Sequence, residues 1–137
     1  MPKGALLHAH LDAMVNARSL LNLALNQPAF HIRVPEIITA KSLTTVLPQF
    51  RALPPDEIAQ ISARTLTGPS YDRNTWVPLS AARENFDREL GGQEGFDAWV
   101  IGTLTINPKE AYETHNTVDK VRCQVSMITI TAADIRF

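Results

Sequence analysis

One stretch constrains this chain more than any other: Ala5-Leu6-Leu7-His8-Ala9-His10-Leu11-Asp12-Ala13. Side chains two apart on a strand share a face. A strand over residues 5–11 would therefore put Leu7, Ala9 and Leu11 on one wholly apolar face, with Ala13 following in the same phase. Leu6, His8, His10 and Asp12 fall on the other, which turns polar toward its C-terminal end. The apolar face calls for a covering layer, and imidazoles on a strand covered on both sides need a reason to be there.

The rest of the chain bounds what that segment can belong to. Its 137 residues are about one domain long. With 45% hydrophobic and 20% charged residues, the composition is that of an ordinary globular protein. A net charge of −1 leaves no broad electrostatic footprint for nucleic acid or an anionic membrane. No apolar run approaches the roughly 18 residues of a membrane span. The opening residues, with one lysine and an apolar stretch broken by histidines, do not read as a secretion signal. Cys123 is the only cysteine, which excludes an internal disulfide and a paired-cysteine metal knuckle.

Pattern and punctuation predict the other elements. Residues 16–25 read as a helix stopped by Asn26-Gln27-Pro28, and 30–34 as an alternating strand before Pro35. Residues 43–50 suggest a second extended piece interrupted by Pro48. Pro54-Pro55-Asp56-Glu57 is a good helix start, with proline in the first turn and acids near the positive end of the dipole. The stretch 65–75 is turn-rich and expected to be an exposed loop. Ser80 is a candidate cap for a helix running to about Leu90 and stopped by Gly91-Gly92. Residues 95–106 read as a buried helix. Further helices are expected from Asn107 and from His115, and the last fifteen residues are β-branched without a clear helical stripe.

The candidate chemistry rests on few side chains. Spaced two apart on a strand, His8 and His10 would aim two imidazoles into one cavity, a donor pair suited to zinc. Spacing alone favours the plainer reading, a hydrogen-bonded pair on a half-exposed strand. A catalytic zinc needs three or four protein ligands and an open position. The remaining ligands would have to come from His31, His115, Cys123 and the carboxylates; the plain readings are a surface or satisfied histidine for His31, a cap or loop contact for His115 and a small buried hydrophobe for Cys123. No HExxH, nucleophile elbow or glycine-rich phosphate loop is present. Trp76, Phe96, Trp99 and Tyr112 read as a base-binding pocket or, more simply, as core. Glu84, Asp87, Arg88 and Glu89 read as the solvated face of their helix.

The segment MPKGALLHAHLDAMV resembles the first barrel strand of the adenosine deaminases, with Lys3, His8, His10, Leu11 and Asp12 matching that family's motif. Farther on, GFDAWVIGTLTINPKEAYETHNTVDKV is similar to the adenosine deaminase growth factor branch, a secreted type. The resemblance covers roughly residues 1–121. It implies an α/β fold: a partial (β/α)8 barrel segment that contains the first barrel strand and is followed mainly by helices. It also implies zinc held by His8 and His10, Asp12 on the ribose, and hydrolytic deamination of adenosine to inosine and ammonia.

The family's third histidine, catalytic glutamate and zinc-binding aspartate match nothing in this sequence. A barrel of this kind needs about 250 residues. The chain is therefore expected to be the N-terminal part of such a domain over 1–121, inactive alone, with 122–137 a divergent tail where the reading frame departs from the family. Two alternatives stay open: a non-catalytic metal-binding or interaction module, and another H-x-H amidohydrolase acting on a different nucleoside. The expected partner is adenosine or a related purine nucleoside, with no nucleic acid and no membrane. Cellular location and oligomeric state are left open.

Overall fold

The computed structural model describes residues 15–106, 119–120, 122–123 and 125–127. Helix α1 spans Ala17–Leu25. It begins where Asn16 caps it, the Asn16 side-chain oxygen accepting from the Arg18 N–H at 3.0 Å and the Ser19 N–H at 3.2 Å. Ala17, Leu20, Leu21 and Ala24 make its buried stripe at helical spacing. Pro28 ends any continuation, and the chain enters strand β1, Phe30–Arg33.

Strand β1 is central. It pairs antiparallel with β2, Gln49–Ala52, from Phe30 opposite Ala52 to Arg33 opposite Gln49. On its other side it pairs antiparallel with β3, Val77–Pro78, through Ile32 opposite Val77 and His31 opposite Pro78. The order is β2-β1-β3. Proline is tolerated in β3 because that strand lies at the sheet edge.

This overturns the expected barrel segment. A (β/α)8 barrel is built of parallel neighbours joined by helical crossovers, whereas the described residues form a small antiparallel sheet with helices, an α+β arrangement. The connection between β1 and β2 supplies the reason. Residues 34–48 contain turns but no helix: the Ser42 N–H donates to the Thr39 carbonyl at 3.1 Å and the Val46 N–H to the Ser42 carbonyl at 2.8 Å. Without a helix to carry the chain back to its starting end, it reverses and pairs antiparallel. For the same reason the extended piece expected from residue 43 begins only at Gln49.

Helix α2 is one turn, Pro55–Ile58, with prolines at its start as expected. Helix α3, Leu79–Glu84, starts directly after Pro78 rather than at a Ser80 cap. It closes early because the Asn85 side-chain amide donates back to the Ala81 carbonyl at 2.9 Å. A 3-10 turn at Arg88–Leu90 follows, and Gly91, left-handed at φ +97°, swings the chain into α4, Gly92–Leu104. The glycine pair thus joins two helical pieces as well as ending one. A Cβ on Gly95 would run into the Leu90 carbonyl, so only glycine fits this close approach.

Helix α4 buries Phe96, Trp99, Val100, Thr103 and Leu104, a stripe at helical spacing that matches its reading as a buried helix. Phe86 meets Phe96 edge-on at 5.5 Å between ring centres and stacks on Trp99 at 6.0 Å. The Trp99 indole N–H donates to the Val46 carbonyl at 3.2 Å. Arg83 ties α3 to α4 through two hydrogen bonds to the Asp97 carboxylate, at 2.7 and 3.0 Å, and a third to Gln93 at 2.8 Å.

Two further expectations change. The stretch 65–75 is turn-rich, yet Leu66 and Tyr71 are buried and face the core. Arg122, Cys123, Val125, Ser126 and Met127 are helical, and Cys123 and Met127 join the same core as α4. Glu84, Asp87, Arg88 and Glu89 are exposed.

Candidate functional site

The residues that carry the resemblance, His8, His10 and Asp12, lie outside the described residues, as do Tyr112 and His115. Of the other donors, His31 and Cys123 are described, and the fold separates their roles. His31 sits mid-strand in β1 with no exposed surface. Its Nδ1 lies 2.8 Å from the Ala29 carbonyl oxygen, a distance that requires Nδ1 to donate. Nε2 is buried and has no hydrogen-bond partner among the described residues. The plain expectation of a satisfied histidine therefore holds for one nitrogen only.

Cys123 is buried, and its thiol donates to the Pro48 carbonyl at 3.2 Å. Burial pushes the thiol up to about 11, with Asp119 adding to the rise. A thiol held neutral in this way is a poor nucleophile and a poor metal ligand at neutral pH. Among the described residues, no group of three or more His, Cys, Asp or Glu side chains could hold a metal ion. These residues by themselves do not make a zinc site.

The aromatic residues divide. Phe96 and Trp99 are core, whereas Trp76 is half-buried and carries the Arg33 guanidinium 4.4 Å above its ring. A groove of about 580 Å³ runs between Leu43, Leu47 and the face of α4 bearing Ala98 and Gly102. Lys120 crosses one end, donating to the Gly102 and Thr105 carbonyls at 2.9 and 3.3 Å, where the helix dipole favours a cation. Its walls are mostly aliphatic, and its polar side chains are threonines and this engaged lysine. They offer no general acid–base pair.

A second cleft, about 390 Å³, opens beside the C-terminal end of β1 and is lined by Arg33, Arg51 and Arg122. Sequence reading missed it. The three arginines are 18 and 71 positions apart and share no motif, so only the pairing of β1 with β2 and the packing near Pro48 bring them together. No helix among the described residues is long and apolar enough to cross a membrane. Comparison with known proteins finds no family model, no curated protein and no solved structure that matches this chain.

Proposed function

We propose that this chain carries part of a zinc-dependent nucleoside deaminase site, with His8 and His10 as metal ligands and Asp12 on the ribose of adenosine. One observation carries the reading: Lys3, His8, His10, Leu11 and Asp12 stand in the order and spacing of the adenosine deaminase motif. Bound zinc would supply an activated water for hydrolytic loss of the purine amine. The chain's own part is narrower. Two neutral imidazoles two residues apart offer nitrogen donors, and Asp12 in the same phase offers an acceptor for a sugar hydroxyl.

Two imidazoles are an incomplete shell, and affinity depends on ligand number and on the groups that orient the ligands. Isothermal titration with zinc should therefore show binding far weaker than that of a complete catalytic site, and it should vanish in a His8→Ala, His10→Ala double variant. Adenosine absorbance should not fall above the metal-only background. Zinc binding that survives the double variant would remove the basis of the proposal.

A second reading is a non-catalytic metal-binding or interaction module. It is favoured by the continuous core that α1, the sheet, α3 and α4 share among the described residues. A sharp cooperative melt without zinc, unchanged by the double variant, would support this module reading.

A further inference from the structure

Arg33 is held in place by two contacts. Its guanidinium carbon lies over the Trp76 ring at 4.4 Å, and its Nε donates to the Gln49 side-chain oxygen at 2.8 Å. Gln49 is its register partner on β2, so the strand pairing itself sets the contact. With Nε bonded to Gln49 and the guanidinium resting over the indole, the two terminal amino groups are left without a protein partner among the described residues. They form a pre-oriented fork on the cleft wall.

Two more guanidinium groups line the same cleft. Arg51 comes from β2, and Arg122 from the helical residues that pack by Cys123 against Pro48. Each has one carboxylate neighbour, Glu57 at 3.8 Å from Arg51 and Asp119 at 3.4 Å from Arg122. Both contacts are long and solvent-exposed, which makes them weak and easily exchanged. Neither carboxylate lines the cleft, nor does any other acidic side chain among the described residues. Gln49 and Ser126 add neutral hydrogen-bonding groups.

Three arginines line the cleft with no acidic side chain among its described lining residues, so an anion there meets positive charge and no opposing carboxylate. A carboxylate engages one fork. A tetrahedral dianion offers enough oxygens for all three, each bond being charge-assisted. At about 390 Å³ the cleft also has room beyond a single oxyanion, within the range of small-molecule sites. We propose that this cleft binds the phosphate group of a small phosphomonoester, with Arg33 as the fixed fork and Arg51 and Arg122 closing on the remaining oxygens. The site shares no residue with His8, His10 and Asp12 and stands or falls separately from the deaminase reading.

The test is isothermal titration of the full chain at low ionic strength with inorganic phosphate, glycerol phosphate and acetate. Saturable binding of both phosphates is expected, glycerol phosphate at least as tightly as inorganic phosphate, with acetate weaker than either. Arg51→Gln and Arg122→Gln should each weaken phosphate binding about fivefold or more, and the double variant should abolish it. Both positions are exposed, so these variants keep the fold, as circular dichroism would verify. Arg33→Lys keeps the charge but loses the fork and should also weaken binding. Arg18→Gln, an exposed change on α1, should have no effect. Absence of saturable phosphate binding, equal binding of acetate, or an Arg18→Gln effect as large as that of Arg51→Gln would overturn the proposal.

Discussion

Replacing His31 by leucine should leave the protein as stable as before or more stable, although it deletes a hydrogen bond at the centre of the sheet. The bond in question runs from Nδ1 to the Ala29 carbonyl oxygen, at 2.8 Å. That carbonyl also accepts the Leu53 N–H at 2.9 Å, so it stays satisfied when the imidazole is gone. The loss is one net hydrogen bond, about 1 kcal/mol. Against it stands Nε2, whose lone pair is buried without a donor among the described residues. An unsatisfied buried polar atom costs about 1–3 kcal/mol, and leucine removes it. Leucine is close to histidine in volume, so repacking adds little strain.

The balance is a gain of about 0–2 kcal/mol. For a chain of this size, each kcal/mol moves the melting temperature by about 3–4 °C. Urea unfolding followed by tryptophan fluorescence is the assay, with an unchanged denaturant slope as the check that only stability moved. His31→Ala is the control for burial and should destabilise by about 2–4 kcal/mol through the cavity it opens. If His31→Leu instead destabilised by more than about 2 kcal/mol at constant slope, Nε2 would have a partner in solution and the reasoning would fail.

Tyr71→Phe should act in the opposite direction. The Tyr71 hydroxyl accepts the Val34 N–H at 3.1 Å and reaches the Val34 and Thr75 carbonyls at 3.1 Å each. The Val34 carbonyl keeps the Asn74 N–H, so the orphan is the buried Val34 N–H, at about 1–3 kcal/mol in urea unfolding; a loss under about 0.5 kcal/mol would refute this. Cys123, pushed up to about 11, should carry the thiolate in about one molecule in a thousand at pH 8, so a disulfide reagent should react slowly with native protein and fast after unfolding. Burial raises the Cys123 thiol and the Tyr71 phenol alike, so the folded state holds these protons longer than the unfolded chain. Stability should be fully present below about pH 9 and fall as pH rises toward 11, the reverse of acid denaturation.

How far the sequence reached depends on whether the signal was local. Asn16 and Pro28 bracket α1 because capping and the missing proline N–H act within a turn. The spacing of Phe96, Trp99, Val100, Thr103 and Leu104 marks the buried face of α4, since a helix carries its own period. The strand at Phe30–Arg33 is legible from alternation and Pro35. What alternation does not contain is a partner. Whether β1 lies beside a parallel or an antiparallel neighbour depends on how residues 34–48 travel, and that path is held by local turns together with the long-range bond from the Trp99 indole to the Val46 carbonyl.

The same division holds for function. The order Lys3, His8, His10, Leu11, Asp12 is a property of the sequence and carries the deaminase reading alone. The arginine cleft is the reverse case: Arg33, Arg51 and Arg122 form no pattern along the chain, and each alone is an ordinary surface charge. Register puts Arg33 beside Gln49, Trp76 lies under its guanidinium, and packing at Pro48 brings Arg122 to the same opening. Local order follows from side chains a few residues apart, but a site assembled from distant strands exists only when long-range pairing fixes which residues meet.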